Sequence, residues 1–164
     1  WDALGSQHFA DGQAIRAFVA SKFVAASAHH ISARADIDQY FSLPTVGDIV
    51  RALESADTDW ARATAATLRK RSPLMLHVVL EQIRRARHMG LADDLRMERD
   101  MVRHCFFLRP GQSETVEGIR ALAVDKDHAP KWNPSRIEDV TPEMVAPFFA
   151  SPWPVHAHPL AALK

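Results

Sequence analysis

The stretch Glu117–Trp132, EGIRALAVDKDHAPKW, decides how this chain is read. It starts with helical spacing, Ile119 and Leu122 or Ala123 falling on one face that should be buried. It ends in a charged turn, Asp125-Lys126-Asp127, stopped by Pro130 and followed by Lys131 and Trp132. A helix with one apolar face therefore delivers a basic loop.

Working outward, the neighbouring segments also have helical spacing and clear start signals. Ser113 or Glu114 opens the helix that runs into the stretch, after a turn at Arg109-Pro110-Gly111. In the helix before it, 92–107, Leu91, Leu95, Val102 and Cys105 or Phe106 line one seam, and Glu98 falls on that seam. A carboxylate buried there needs a partner, a nearby arginine or a backbone cap, and Arg120 is one candidate. Ser72-Pro73 opens a helix that reaches Met89 before Gly90 ends it; Leu74 to Leu80 is apolar nearly all round except His77, so this half should be buried deeply. Thr45 caps a helix with Asp48 at its positive end and Val46, Ile49, Val50 and Leu53 inward. Thr58 or Asp59 caps the next, whose alanines at 61–66 imply close packing and whose last turn carries Arg69, Lys70 and Arg71.

Further toward the N-terminus, Ile37, Tyr40 and Phe41 mark a short helix over 35–43, stopped by Pro44. Before it, Ile15, Phe18, Val19, Phe23 and Ala26 predict a helix ending near His29 and His30. Toward the C-terminus, Thr141-Pro142-Glu143 starts a short apolar helix through Phe148 and Phe149, both read as exposed, and Pro152, Pro154 and Pro159 then prevent regular structure. Strand periodicity is almost absent. The expectation is an all-α fold of six to eight helices, with at most a short extended segment near the N-terminus. Its parts are a lead-in segment and first helix at 1–35, a helical domain at 36–150 and a Pro-rich tail at 151–164.

Composition limits the function. With 47% hydrophobic and 24% charged residues over 164 positions the chain is globular, and 20 basic residues balance 20 acidic ones. No global field then favours nucleic acid or an anionic membrane, so neither is an expected partner. The single cysteine, Cys105, excludes an internal disulfide, is read as core, and fits a reducing compartment. A cytoplasmic location is expected, with the mitochondrial matrix as the alternative. Adjacent His29 and His30 point to different helix faces and form no metal site, and His156 and His158 lack an acidic or thiol companion in sequence, which suits a flexible tail. No metal is expected. The chain opens on Trp1 instead of Met, which suggests a fragment of a longer protein.

The motif Glu117-Gly118, Arg120-Ala121, Asp125-Lys126-Asp127 and Pro130-Lys131-Trp132, taken with MERDMVRHC, SPLMLHVVLEQI and IDQYFSLPTVGDIVRAL, resembles the C-terminal region of 3-hydroxyisobutyryl-CoA hydrolases, in the enoyl-CoA hydratase/isomerase or crotonase superfamily. The resemblance runs from about Leu4 to Phe149. It implies a larger protein whose β/α core holds the CoA thioester, polarises its carbonyl with two backbone N–H donors and activates water with acidic side chains. Those catalytic groups lie upstream of Trp1, so no residue here is nominated as catalytic. CoA enters as part of the substrate and no separate cofactor is implied. The region itself is expected to be a helical cover for the acyl pocket and a site of subunit contacts in a homo-oligomer. In related hydratases the matching helix and loop bring an apolar side chain and a lysine to the adenine and phosphate end of CoA. By position these are Leu122 and Lys126, with Lys131 as a second phosphate partner and Trp132 as a stacking surface. Two alternatives stay open: the same region of a hydratase or isomerase, and a non-enzymatic docking or oligomerisation module that uses Phe148, Phe149 and the tail.

Overall fold

The computed structural model of the chain describes residues 5–22 and 28–164, with side chains from residue 34 onward in the second stretch. In order the helices are α1 (Gly12–Lys22), α2 (Ala28–Phe41), α3 (Val46–Ser55), α4 (Asp59–Arg69), α5 (Pro73–Ala86), α6 (Leu91–Phe107), α7 (Glu114–Ile119) and α8 (Pro142–Val145). A π-helical turn, Arg120–Val124, continues α7, and 3-10 turns lie at Ile137–Asp139, Ala146–Phe149 and Val155–Ala157. Among the described residues there is no strand, so the fold is all-α as the sequence predicts.

Four helices begin where a hydroxyl closes the first turn. The side chains of Thr45, Thr58, Ser72 and Ser113 accept from the N–H groups of Asp48, Ala61, Met75 and Val116 at 3.0, 3.2, 3.2 and 3.1 Å. Each satisfies one of the donors that a helix start leaves open. These starts were all legible as local signals.

The chain forms two units, 1–39 and 40–164. In the first, Asp11 caps α1 by accepting from Gln13 and Ala14 N–H at 2.9 and 2.8 Å, and Phe9 packs on Phe18 with ring centroids 5.3 Å apart. The continuation of this helix through Phe23 and Ala26 lies outside the described residues. His29 and His30 belong to the first turn of α2 and do not close the preceding helix, and the short helix expected over 35–43 is the later half of α2.

In the second unit α5 is the shared wall of three apolar clusters. Leu74 and Val78, both fully buried, meet Met97 and Met101 of α6 and Phe148. Leu80, on another side, packs against Ile49, Leu53, Ala61 and Ala65, the close α3–α4 contact that the alanines foretold. Leu76 and Leu80 also meet Val46, Val50 and Ile137. Burying each such aliphatic side chain contributes about 1.5–3 kcal/mol. Val79 is 45% exposed, so α5 is not covered all round.

The inward face of α6 differs from the seam read in the sequence. Leu91, Leu95 and Val102 are exposed, whereas Met97, Asp100 and Met101 are buried. Glu98 is exposed and accepts from Gln82 Nε2 at 3.0 Å, with no contact to Arg120. The buried carboxylate of α6 is Asp100, two residues on and roughly half a turn round the helix.

Its partner comes from the tail. Leu160 N–H donates to His158 Nδ1 at 3.0 Å, which leaves the proton on Nε2 to donate to Asp100 Oδ1 at 3.0 Å. A neutral imidazole therefore satisfies both neighbours. Trp153 stands edge-on to His158 and takes the Arg99 guanidinium over its ring at 5.0 Å. Arg96 donates to the carbonyls of Leu160 and Leu163, and His104 Nε2 donates to that of Ala150 at 2.7 Å. Residues 96, 99, 100 and 104 form one helical stripe, and the tail lies along it instead of hanging free. Phe148 is 3% exposed and Phe149 half-buried beneath Arg85, so neither is the exposed aromatic that the sequence suggested.

One hydroxyl joins distant parts of the unit. Ser72 Oγ caps α5 and also donates to the buried carboxylate of Glu114 at 2.5 Å. Ser72→Ala should lower stability by about 2–4 kcal/mol, the sum of a lost cap and a buried acceptor left short of a donor. Urea unfolding checks this, and a loss below about 1 kcal/mol would assign Ser72 to capping alone.

Candidate functional site

The predicted site residues sit where α7 runs into the π turn and the loop beyond it. In the π turn the N–H of Asp125 bonds back five residues to the carbonyl of Arg120 at 2.8 Å, and the N–H of His128 reaches the carbonyl of Ala121 at 3.0 Å. Such turns widen a helix locally and are frequent at functional sites. The wider turn alters which residues face inward. Ala121 is buried, while Ile119 and Leu122 are 45% and 65% exposed, the reverse of the face expected from helical spacing.

Arg120 is the hub of the loop. Its Nε and Nη2 donate to the two oxygens of Glu117 at 2.8 Å each, and Nη1 donates to Asp125 at 2.6 Å and Asp127 at 2.7 Å. Nη2 also reaches the carbonyl of Ala129 at 3.3 Å. The five N–H donors of the guanidinium are thereby all engaged. Asp127 additionally accepts from Ala129 N–H at 2.9 Å, and Glu117 from Lys131 N–H at 2.6 Å. The Arg120 guanidinium, followed by the Lys131 N–H, holds the Glu117 carboxyl down at about 2, and the three carboxylates keep Arg120 above its ordinary value.

Lys126 lies between the two clamped aspartates. Its φ is +56° and that of His128 is +53°, the left-handed region that costs a side-chain-bearing residue about 1–2 kcal/mol. The hydrogen bonds around them hold that conformation in place. The Lys126 side chain is exposed, and no hydrogen bond or ion pair engages its ammonium among the described residues.

Trp132 anchors the far end of the loop. Its Nε1–H donates to the carbonyl of Lys70, at the end of α4, at 3.2 Å. Its ring lies over Gly118, where an added Cβ would be 3.3 Å from Cη2. Next to it, Asn133 N–H donates to Glu114 at 2.9 Å, and Arg109 lies 3.9 Å from the same carboxylate. The buried acid paired with an arginine that the sequence led us to seek at Glu98 is found here, at Glu114. Within the basic run 69–71, Arg69 bridges Glu54 at 2.8 Å and Glu138 at 2.7 Å.

Lys131 lines a cleft of about 360 Å³ with Phe106, Gln112, Glu114, Glu117 and Asn133. A larger cleft, about 600 Å³, lies between the start of α3, α5 and residues 137–146, with Thr45, Arg51, His77, Arg84 and Val145 in its walls. None of the predicted site residues lines it. His77 is half-buried there and donates from Nδ1 to the carbonyl of Pro73 at 2.9 Å. Cys105 packs against the α5–α6 core, and burial pushes its thiol up. Among the described residues no cluster of His, Cys, Asp or Glu could hold a metal, and no helix is long and apolar enough to cross a membrane.

The loop thus offers a free ammonium and an exposed Leu122 on a backbone fixed by Arg120 and Trp132. Because the Glu117 carboxyl is depressed from its ordinary 4.5 to about 2, its contribution to loop stability is complete above pH 4.5 and fades as the pH falls toward 2. Following the Glu117 side-chain carboxyl by NMR during acid titration should give a midpoint near 2. A midpoint at the ordinary value would mean the clamp does not form in solution.

The profile of the enoyl-CoA hydratase/isomerase family matches residues 2–149. Among curated relatives, the chain is 43% identical over 118 residues to "Probable 3-hydroxyisobutyryl-CoA hydrolase 2" of Arabidopsis thaliana, covering 69% of this chain and 31% of the relative. It is 38% identical over 117 residues to "Small ribosomal subunit protein mS47" of the same plant, covering 69% and 28%. Relatives from Dictyostelium discoideum and Danio rerio are named "3-hydroxyisobutyryl-CoA hydrolase, mitochondrial". Among solved structures, an enoyl-CoA hydratase from Rhodobacter sphaeroides 2.4.1 superposes with a TM-score of 0.70 at 32% identity, covering 79% of this chain and 37% of that one. The chain spans about three-tenths of the length of the curated relatives it matches.

Proposed function

The chain belongs to the enoyl-CoA hydratase/isomerase family, and from that premise we propose that it is the C-terminal helical region of a CoA-thioester hydrolase of the 3-hydroxyisobutyryl-CoA type. In this reading the groups that act on the thioester belong to a longer protein, and this region covers the CoA and acyl pocket and contributes subunit contacts in a homo-oligomer. CoA is bound as part of the substrate.

One observation carries the reading: Lys126 holds an unpaired ammonium on a loop whose every nearby carboxylate is occupied by Arg120. An exposed cation kept away from its flanking acids is suited to a phosphate oxygen, as at the nucleotide end of CoA. Leu122, 65% exposed one turn earlier, supplies an apolar surface of the kind an adenine covers. Lys131 is a second exposed cation on the same loop. Trp132 contributes chiefly by anchoring, since its N–H is bonded to Lys70 and its ring lies close against Gly118. A mitochondrial matrix location is favoured over the cytoplasm by the relatives named mitochondrial.

Purified full-length protein should release free CoA from 3-hydroxyisobutyryl-CoA, and Lys126→Ala should raise KM several-fold with kcat nearly unchanged, because an interaction with a remote phosphate is made equally in ground and transition states. Hydration or isomerisation of an enoyl-CoA without thioester cleavage would favour the hydratase reading instead.

The similarity to a relative named as a ribosomal subunit protein favours a second reading, a docking module without catalysis. With Phe148 buried, the tail face around Trp153 is the surface left for it. Under that reading full-length protein shows no activity on CoA thioesters, and deletion after Ser151 abolishes an assembly seen by light scattering. Under the hydrolase reading the deletion leaves CoA release intact.

A further inference from the structure

We infer that Arg120 is a positioning residue for CoA binding, which acts by fixing Lys126 and by keeping its flanking aspartates from neutralising it. The inference rests on the reading of Lys126 as a phosphate contact.

Arg120 cannot itself take the phosphate. A guanidinium has five N–H donors in a rigid fork, and all are used: Nε and Nη2 on Glu117, Nη1 on Asp125 and Asp127, and Nη2 again on the Ala129 carbonyl. The two-point contact with Glu117 fixes the plane of the fork, so the direction in which Nη1 points is fixed as well. Asp125 and Asp127 both meet that single nitrogen. The residue between them is then held in the left-handed region, with φ +56°, and its side chain projects from a loop it does not itself stabilise.

Charge points the same way. Glu117, Asp125 and Asp127 carry three negative charges, against one each on Arg120, Lys126 and Lys131. Without Arg120 the local sum becomes negative, and two carboxylates adjacent to Lys126 are released to compete with a phosphate for its ammonium. Arg120 thus makes Lys126 available as well as placing it. A lysine at position 120 would restore the charge but not the fork, since an ammonium has three donors and no fixed plane.

Titrating coenzyme A into the full-length protein by calorimetry tests this with a double-mutant cycle. Arg120→Gln and Lys126→Ala should each weaken CoA about tenfold, and the double variant should be little weaker than either, because Arg120 works through Lys126. Arg120→Lys, which keeps the charge and guards against a misfolded Gln variant, should show a smaller loss in the same cycle. Equal weakening by Arg120→Gln with or without Lys126 would overturn the inference, as would an unchanged affinity in both position-120 variants. If Lys126→Ala alone leaves CoA affinity unchanged, the phosphate contact fails first and the role of Arg120 falls with it.

Discussion

Convergence of Glu117, Asp125 and Asp127 on the one guanidinium of Arg120 determines the shape of the loop, and the loop is the part of this chain on which its functional reading depends. A planar fork offers its donors at fixed angles, so acceptors that are distant in sequence must be brought to fixed places. Glu117 reaches it from one turn back on the helix. The two aspartates reach it where the chain has widened into a π turn, and the backbone around Asp127 is left-handed on both sides, at Lys126 and His128. Backbone strain and side-chain bonding are two sides of one arrangement: the first is tolerated because the second is complete.

That arrangement would drift if the loop were not tied to the helices around it. Trp132 ties it to the end of α4 and closes over Gly118, a position where the absence of a Cβ lets the indole approach. The buried carboxylate of Glu114 ties the start of α7 to Ser72 at the head of α5 and to Asn133 beyond the loop. Since α5 is also the wall shared by the three apolar clusters, the loop is fixed to the element on which all three meet. A ligand meeting Lys126 therefore meets a shape already formed, which reduces the ordering cost of binding.

What could be read from the sequence was local. The caps at Thr45, Thr58, Ser72 and Ser113 depend on residues three apart, and the all-α class depends on spacing within single helices. The loop was legible as well, as a charged turn stopped by Pro130 after a helix. What failed was the choice of inward face. Apolar spacing shows that a face is apolar and not what covers it, and in α6, α7 and the π turn the residues on that spacing, Val102, Ile119 and Leu122, are exposed, while Asp100 and Glu114 are buried. The π turn, which shifts the helix phase at Arg120, has no spacing signal of its own. Contacts across long separations were equally out of reach: Asp100 and His158 lie 58 residues apart, and a histidine in a proline-rich tail gives no hint that it will be buried.

The functional reading requires the loop to be formed before any ligand arrives. Amide hydrogen exchange in the ligand-free protein tests it most directly. The N–H groups of Asp125 and His128, bonded to the carbonyls of Arg120 and Ala121, should exchange much more slowly than that of Lys126 between them. Exchange of all three at the rate of an unstructured chain would contradict it.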